Sequence, residues 1–389
     1  MGVRAAAPVS TPAPSALLVS VVIPCLNEAG NIQECVHRAR AVLDKHSISG
    51  EVVVADNGSE DGSAELAEAA GARVVREPRR GYGSAYLAGF DAARGDYIVM
   101  IDADLTYDFE EIPRFVKELD DGAELVMGNR MEGIQPGAMP WMNRYIGNPV
   151  LSGFLNFLYR TRVRDVHCGM RAIRRDVLPQ LELRTTGMEF ASEMVIRAAQ
   201  QKLDVREFPI ELHVRGGESK LSPFRDGWRH LRLILVYHPN FLFLLPGALM
   251  AVLGTLITIT VFAHVQLFGR EFFLHTLIAG CMLIIVGTQV VGLGLCARAY
   301  GVYFLGERDT FFQRSRERFR LEHGLLLGGA VVVAGLALGG VIVGKWIGRG
   351  FGTLSEERLA ILSATLVIAG LQVFFTSFLL SILGLRRRD

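Results

Sequence analysis

The sequence predicts an α/β domain built on a mostly parallel sheet, followed by an α-helical membrane domain with four transmembrane helices. Three observations carry that expectation. Over the first half of the 389-residue chain, short apolar runs alternate with stretches of helical periodicity. The runs end in polar, often glycine-rich sequence, as at Pro24-Cys-Leu-Asn-Glu28, Asp56-Asn-Gly-Ser-Glu-Asp-Gly-Ser63 and Asp102-Ala-Asp104. The second half holds apolar segments near 241–261, 273–295, 325–343 and 359–383. Each reaches about the 20 residues needed to span a bilayer.

Leu18 to Ile23 reads as a first buried strand, and Asn31 to His46 as a helix. Glu51 to Ala55 is a second strand, with a helix after it to Ala70 and a strand at Arg73 to Val75. Gly81-Tyr-Gly83 opens a helix through Ala93. Tyr97 to Ile101 is a strand running straight into Asp102-Ala-Asp104. Glu110 to Asp120 reads as helix, Glu124 to Met127 as strand, Met188 to Arg197 as the start of a helix, and Val205 to His213 as strand. Strands alternating with helices of this length imply a parallel sheet with right-handed crossovers. Trp141 to Tyr159 is apolar and aromatic, and reads either as an interfacial helix or as core. Pro223 to Tyr237 sets Phe224, Trp228, Leu231 and Leu235 against Arg225, Arg229 and Arg232, the pattern of a basic interfacial helix.

The expected domains are a disordered segment at 1–16, a cytosolic domain at 17–222, an interfacial helix at 223–238 and a membrane domain at 239–389. The first sixteen residues are rich in Ala, Pro and Ser. The apolar run at 17–23 is short for a signal-peptide core. The arginine-rich connection at 297–323 and the tail Arg386-Arg-Arg388 are both placed in the cytoplasm by the positive-inside rule. With 41 Lys+Arg against 40 Asp+Glu, no global basic field points to nucleic acid. Five cysteines show no metal spacing and read as reduced thiols.

Ligands of open α/β sheets sit at the carboxyl ends of the strands. Asp102 and Asp104 lie at such an end, and two hard oxygen ligands there can hold Mg²⁺ or Mn²⁺ on a diphosphate. An Asp-X-Asp also occurs by chance or as a cap. Asp56 can contact a base or ribose, or be a turn residue before a helix. Pro24, Asn27 and Glu28 can line a base or cap the helix that follows. Arg79, Arg80, Gly81 and Gly83 precede a helix N-terminus that favours anions, though arginines are more often a solvated face. Glu189, Ser192 and Glu193 can reach sugar hydroxyls or cap and charge a helix start. His167 reads as a packed residue, with no second histidine at ligand spacing.

Val-Val-Ile-Pro-Cys-Leu-Asn-Glu, Asp-Asn-Gly-Ser-Glu-Asp-Gly-Ser, Asp-Ala-Asp-Leu, Gly-Asn-Arg and Arg-Gly-Gly-Glu-Ser-Lys occur in this order between Ser20 and Leu221. Together they resemble the family 2 glycosyltransferases of the GT-A fold, whose sheet is Rossmann-like. The branch they resemble is the dolichyl- or polyprenyl-phosphate mannose (or glucose) synthases. The resemblance implies transfer of a hexose from a nucleoside-diphosphate sugar, GDP-mannose or UDP-glucose, to dolichyl or polyprenyl phosphate with inversion. It implies that Asp102 and Asp104 hold the metal, and that Pro24, Asn27, Glu28, Asp56, Asp102 and Ala103 bind the nucleotide. Arg130, Arg144, Arg215, Ser219 and Lys220 would meet phosphates of donor or acceptor. Asp165, in Asp-Val-His-Cys-Gly-Met-Arg, would orient the acceptor or act as base, or else form a structural ion pair with Arg171 or Arg174. The partners are then the nucleotide sugar, the lipid phosphate, the bilayer and a possible second copy of the chain. Competing readings are a glycosyltransferase using another lipid or a polysaccharide acceptor, and a silent membrane-anchored nucleotide-binding scaffold. No Gln-x-x-Arg-Trp motif of processive synthases is present.

Overall fold

The computed structural model describes residues 17–216, 223–266, 273–304, 321–353 and 356–385. Residues 1–16, Ser219 and Lys220, most of the arginine-rich connection and the terminal arginines lie outside the described residues. The chain divides into two compact units, Met1–Ile234 and Leu235–Asp389.

The first unit is organised by β1 (Val19–Cys25), whose Val21, Val22 and Ile23 have no exposure. A strand apolar on both faces requires cover on both faces. Helix α1 (Ile32–Lys45) supplies part of one layer with Ile32, Cys35, Val36 and Ala39. Helix α4 (Ile112–Asp120), after a 3₁₀ turn at Phe109–Glu111, adds Phe109, Ile112, Phe115 and Leu119 to the same core. On α3 (Tyr82–Ala92), which follows the short α2 (Ser63–Ala69), Tyr86 stacks on Phe190 with ring centroids 5.8 Å apart.

The remaining strands are β2 (Gly50–Asp56), β3 (Arg73–Arg76), β4 (Tyr97–Met100), β5 (Leu125–Ile134), β6 (Arg171–Arg174) and β7 (Val205–Leu212). They form one sheet in the order β3-β2-β1-β4-β6-β5-β7. All pairs are parallel except those of β6, which runs antiparallel to both β4 and β5. The strand order reverses beside β1, because β2 lies on one side of it and β4 on the other. That reversal opens a crevice at the carboxyl ends of β1 and β4, where open α/β sheets bind ligands. Two sheet features differ from the sequence expectation. β6 is a four-residue strand, Arg-Ala-Ile-Arg, too short and too charged to show alternation. β5 continues to Ile134 through an irregularity between Asn129 and Gly133, where pattern alone stops at Met127.

The segment that read as interface or core forms a π-helical turn at Asn143–Gly147 and helix α5 (Asn148–Tyr159). It is not core: Trp141, Tyr145, Ile146, Val150 and Phe157 are exposed, and within α5 only Ser152 and Leu155 are buried. After the short α6 (Leu178–Leu181) and α7 (Phe190–Gln201) comes α8 (Pro223–Val236). On α8, His230 and Ile234 are buried and Trp228 is exposed. The Tyr159 hydroxyl donates to the Ile234 carbonyl at 3.1 Å.

Among the described residues, the second unit contains four helices long and apolar enough to cross a membrane: Asn240–Phe262, Leu274–Tyr303, Leu321–Gly348 and Glu357–Gly384. They correspond to α9 (Leu245–Phe262, after a π-helical turn), α10 (Leu274–Phe304), α11 (Leu321–Gly348) and α12 (Glu357–Leu385). Glycines let them pack closely. A Cβ on Gly254 would meet the Gly280 carbonyl, and one on Gly287 the Gly247 carbonyl. Gly328 and Gly370 do the same between α11 and α12. Without a hydrophobic drive between helices in lipid, such small-residue contacts supply the packing.

Candidate active site

Asp102 and Asp104 follow the buried end of β4, at the crevice. Asp102 is half-buried, and its Oδ1 accepts from the Tyr82 hydroxyl at 3.0 Å and the Tyr86 hydroxyl at 3.3 Å. Burial, reinforced by the charge of Asp104, pushes the Asp102 carboxyl up to about 6. Asp104 is buried, and its Oδ1 accepts from the Thr106 amide at 3.1 Å and hydroxyl at 2.5 Å. Its Oδ2 accepts from Arg215, through Nε at 2.8 Å and also through Nη2. The backbone after β7 seals this pairing: the His213 amide donates to the Thr106 carbonyl at 2.9 Å and the Gly216 amide to the Asp104 carbonyl at 3.1 Å.

The loops after β1 and β2 are tied together beside this pair. The Asn27 amide donates to Ser59 Oγ, the Glu28 amide to Ser63 Oγ and the Ala29 amide to Asp61, all within 2.9–3.0 Å. Asn27, at φ +53°, accepts from the Glu60 amide at 2.8 Å. The Asp56 carboxylate accepts from the Gly58 and Ser59 amides, so it closes its own turn. Asn57 donates to the Glu77 and Arg79 carbonyls and accepts from the Gly81 amide, which carries the turn to the start of α3. Arg79 and Arg80 are exposed and paired with Glu77 and Glu60.

A second cluster joins β5 to the loop that precedes β6. Asp165 has no exposure, and its Oδ2 accepts from Arg130 Nε at 2.6 Å and the Arg130 amide at 3.1 Å. Arg130 Nη2 completes the fork on Oδ1 at 2.8 Å. Burial raises the Asp165 carboxyl, but the Arg130 charge and hydrogen bonds outweigh it and hold it below its ordinary value. The ion pair expected with Arg171 or Arg174 is therefore made with Arg130. Arg174 pairs with Asp176. Arg171 is fully buried and spends its guanidinium on the carbonyls of Val166, Cys168 and Ala191 at 2.7–2.8 Å, fixing the 165–171 loop against α7.

The three candidates for the sugar differ. Ser192 and Glu193 have no exposure. Ser192 Oγ is bonded to His230 Nδ1 at 2.8 Å, and the Glu193 carboxylate accepts from the Arg184 and Thr185 amides and the Thr185 hydroxyl. Glu189 keeps a buried Oε2 with no hydrogen-bond partner. Arg144 lies on the π-helical turn with its guanidinium 5.3 Å from the Tyr145 ring centre. His167 packs edge-on against His230, ring centroids 4.4 Å apart, with both ring nitrogens buried and unbonded.

Sequence reasoning missed Tyr82, Tyr86, Thr106, Tyr107, Gly169 and His230. Tyr82 and Tyr86 are four apart on α3, a spacing that puts both on one face. Gly169 is required by space: a Cβ there would strike Asp102 Oδ2, and its amide donates to the Tyr107 hydroxyl at 2.7 Å. Nothing in the local sequence reveals that approach.

The donor set fits a hard divalent cation. Two carboxylates share one crevice; among the described residues Asp102 takes its side-chain hydrogen bonds from hydroxyls, and an arginine already sits on Asp104. Among the described residues no group of three or more His, Cys, Asp or Glu side chains forms a metal site. The protein thus offers two carboxylates, leaving the other oxygens of a six-coordinate shell to water and a ligand.

A doubly wound sheet with paired carboxylates at its switch point, followed by membrane-length helices, defines a membrane glycosyltransferase once its relatives are considered. Residues 20–181 match the model of glycosyl transferase family 2, and residues 295–384 match the family 2 C-terminal transmembrane region. The low-salt glycan biosynthesis hexosyltransferase Agl6 of Haloferax volcanii is 42% identical over 368 residues, 94% of this chain and 89% of the relative. The dolichyl-phosphate hexose transferase of the same organism is 35% identical over 211 residues, 54% of this chain and 89% of the relative. Glucosyl-3-phosphoglycerate synthase of Mycobacterium tuberculosis, crystallised with Mn²⁺, UDP-glucose and phosphoglyceric acid, is 23% identical over 57% of this chain and 80% of that one, with a TM-score of 0.48. The chain belongs to the family 2 glycosyltransferases, with a GT-A catalytic unit and an integral membrane part.

Proposed function

We propose that this enzyme moves a hexose from a nucleoside-diphosphate sugar, GDP-mannose or UDP-glucose, to dolichyl or polyprenyl phosphate, with inversion, at the cytoplasmic face of the membrane. The observation that carries the reading is the Asp102–Asp104 pair at the switch crevice, with Arg215 from the segment after β7 and Arg130 from β5 as cations. The lipid acceptor follows the name of one Haloferax relative, a dolichyl-phosphate hexose transferase. The working division is a catalytic domain to 222, an interfacial helix at 223–238 and a membrane domain from 239. The 297–323 connection and the C-terminus are cytoplasmic, as their arginines favour.

Asp102 and Asp104 would hold Mg²⁺ or Mn²⁺, which neutralises the charge developing on the leaving diphosphate. Pro24, Asn27, Glu28, Asp56 and Ala103 shape the nucleoside pocket through the interlocked loops after β1 and β2. Glu189, with its unbonded oxygen, meets a sugar hydroxyl, while Ser192 and Glu193 support α7 from within. An oxygen of the lipid phosphate attacks the anomeric carbon as the bond to the diphosphate breaks. That phosphate has its second pKa near 6 and arrives largely ionised, so no strong base is required. Asp165, held below its ordinary pKa by Arg130, is suited to orient the Arg130 guanidinium rather than to take a proton. Arg130, Arg144, Arg215 and Lys220 offset repulsion between acceptor and donor phosphates, and the Ser219 hydroxyl donates a hydrogen bond to the acceptor phosphate.

The test is a donor screen on the full chain purified in detergent, with Mg²⁺ or Mn²⁺ and a polyprenyl phosphate. Lipid-linked sugar from one donor, absent in Asp104→Asn, is the expected result. Transfer to diacylglycerol or to a growing polysaccharide instead would overturn the acceptor assignment.

A further inference from the structure

We propose that Arg215 is the resident counter-cation of Asp104, and that a divalent cation enters the site by exchange with it. The inference rests on the metal role given above to Asp102 and Asp104. Both oxygens of Asp104 are taken: Oδ1 by the Thr106 amide and hydroxyl, Oδ2 by Arg215. Thr106 is two residues away in the same turn, so its bonds are local and can persist. Arg215 comes from 111 positions along the chain and is the partner that can leave. Its side chain is 32% exposed against 7% for Asp104, so the guanidinium has a way out and the carboxylate does not.

Charge makes the exchange directional. Asp102 and Asp104 carry two negative charges; the one guanidinium on them bonds Asp104, and among the described residues Asp102 accepts side-chain hydrogen bonds only from hydroxyls, with Arg130 and Arg215 acting on it by charge alone. A divalent cation supplies what one guanidinium lacks. The freed arginine is then an unpaired cation beside the place where a diphosphate would lie, and an anion there recaptures it. Metal and diphosphate therefore favour each other's binding through Arg215, and either one alone binds against it. The loop after β7 reports the state of the exchange. Its hold on the crevice consists of Arg215, the His213 and Gly216 backbone amides, and the Asn31 side-chain Nδ2 donating to the Gly216 carbonyl at 2.6 Å.

The experiment titrates the full chain in detergent with Mn²⁺ alone and counts free Mn²⁺ by electron paramagnetic resonance. Removing a charge-assisted competitor tightens Mn²⁺ binding in Arg215→Gln on the order of ten-fold, and Asp104→Asn loses that binding. Equal or weaker binding in Arg215→Gln, with binding still lost in Asp104→Asn, overturns the exchange and leaves the metal assignment standing. Unchanged binding in Asp104→Asn removes Asp104 as a ligand and overturns both. A wild-type measurement guards against a variant that fails to fold: hydrogen exchange at Gly216 quickens when Mn²⁺ saturates the protein. No change in that exchange at saturation counts against the proposal as strongly as the first negative result.

Discussion

After β4, Asp102 and Asp104 stand together with tyrosine and threonine hydroxyls and one arginine borrowed from a distant loop. After β5, Asp165 sits fully buried in a fork from Arg130, whose own amide adds a third bond. Both are acidic groups at the same edge of one sheet, yet their charges are handled in opposite ways. Burial drives Asp102 up to about 6, whereas the guanidinium keeps Asp165 below its ordinary value. In the first region two carboxylates share one directly bonded guanidinium among the described residues, which suits a cation that arrives and leaves with substrate. In the second the carboxylate is paired within the fold, which suits a rigid support that holds the Arg130 guanidinium in place. A carboxylate's role at this edge is set by whether its counter-charge is built in.

Substitutions that keep shape and remove charge should break the two regions differently. Asp104→Asn takes away a proposed metal ligand, and transfer should fall by about 10³-fold or more, measured as lipid-linked sugar formed per unit time. Arg130→Ala leaves Asp165 as an uncompensated buried charge, at a cost of about 3–5 kcal/mol, seen as a lower unfolding midpoint in detergent. Asp102→Asn should sharpen the contrast. It relieves repulsion with Asp104 and keeps an acceptor for Tyr82, so its midpoint should equal or exceed the wild type while transfer is lost. A midpoint lowered as far as that of Arg130→Ala would mean Asp102 is a structural anion, and the comparison would collapse.

The first region was largely legible in the sequence. Apolar runs ending in Asp56 and in Asp102-Ala-Asp104 mark strand ends without further knowledge, because a strand buried on both faces shows as an unbroken apolar stretch. The second region was not. β6 is four residues with arginine at each end, and Arg171, fully buried on three carbonyls, looks like any surface arginine. The fork between Arg130 and Asp165 joins residues 35 apart, and only the antiparallel placement of β6 beside β5 brings them together. The apolar spans were plain from length, but the pairing of Gly254 with Gly280 and Gly247 with Gly287 depends on helix register, which hydropathy does not encode.

The smallest expected effect concerns the rear of the second region, where His230 meets His167 and Ser192. Burial is the main cause that pulls His230 down to about 4 and His167 well below its ordinary value. Asp226 opposes this at His230, while Arg171 and Arg229 add to it; at His167, Asp165 opposes it and Arg130, Arg171 and His230 add to it. The folded protein therefore keeps both rings neutral while the unfolded chain takes up protons near pH 6.5. Below that pH the unfolded state binds more protons, so the histidines lower stability as pH falls. Between pH 7.5 and 5.5 the loss from His230 is about 1 kcal/mol. Asp102, held up at about 6, binds a proton in the folded state over the same window and acts in the opposite direction. The readable quantity is thus the difference in pH slope between wild type and His230→Gln, in which the Asp102 contribution is common and cancels. His230→Gln should have the flatter acid-side loss, and identical slopes would show that His230 takes up a proton in the fold as readily as in the unfolded chain.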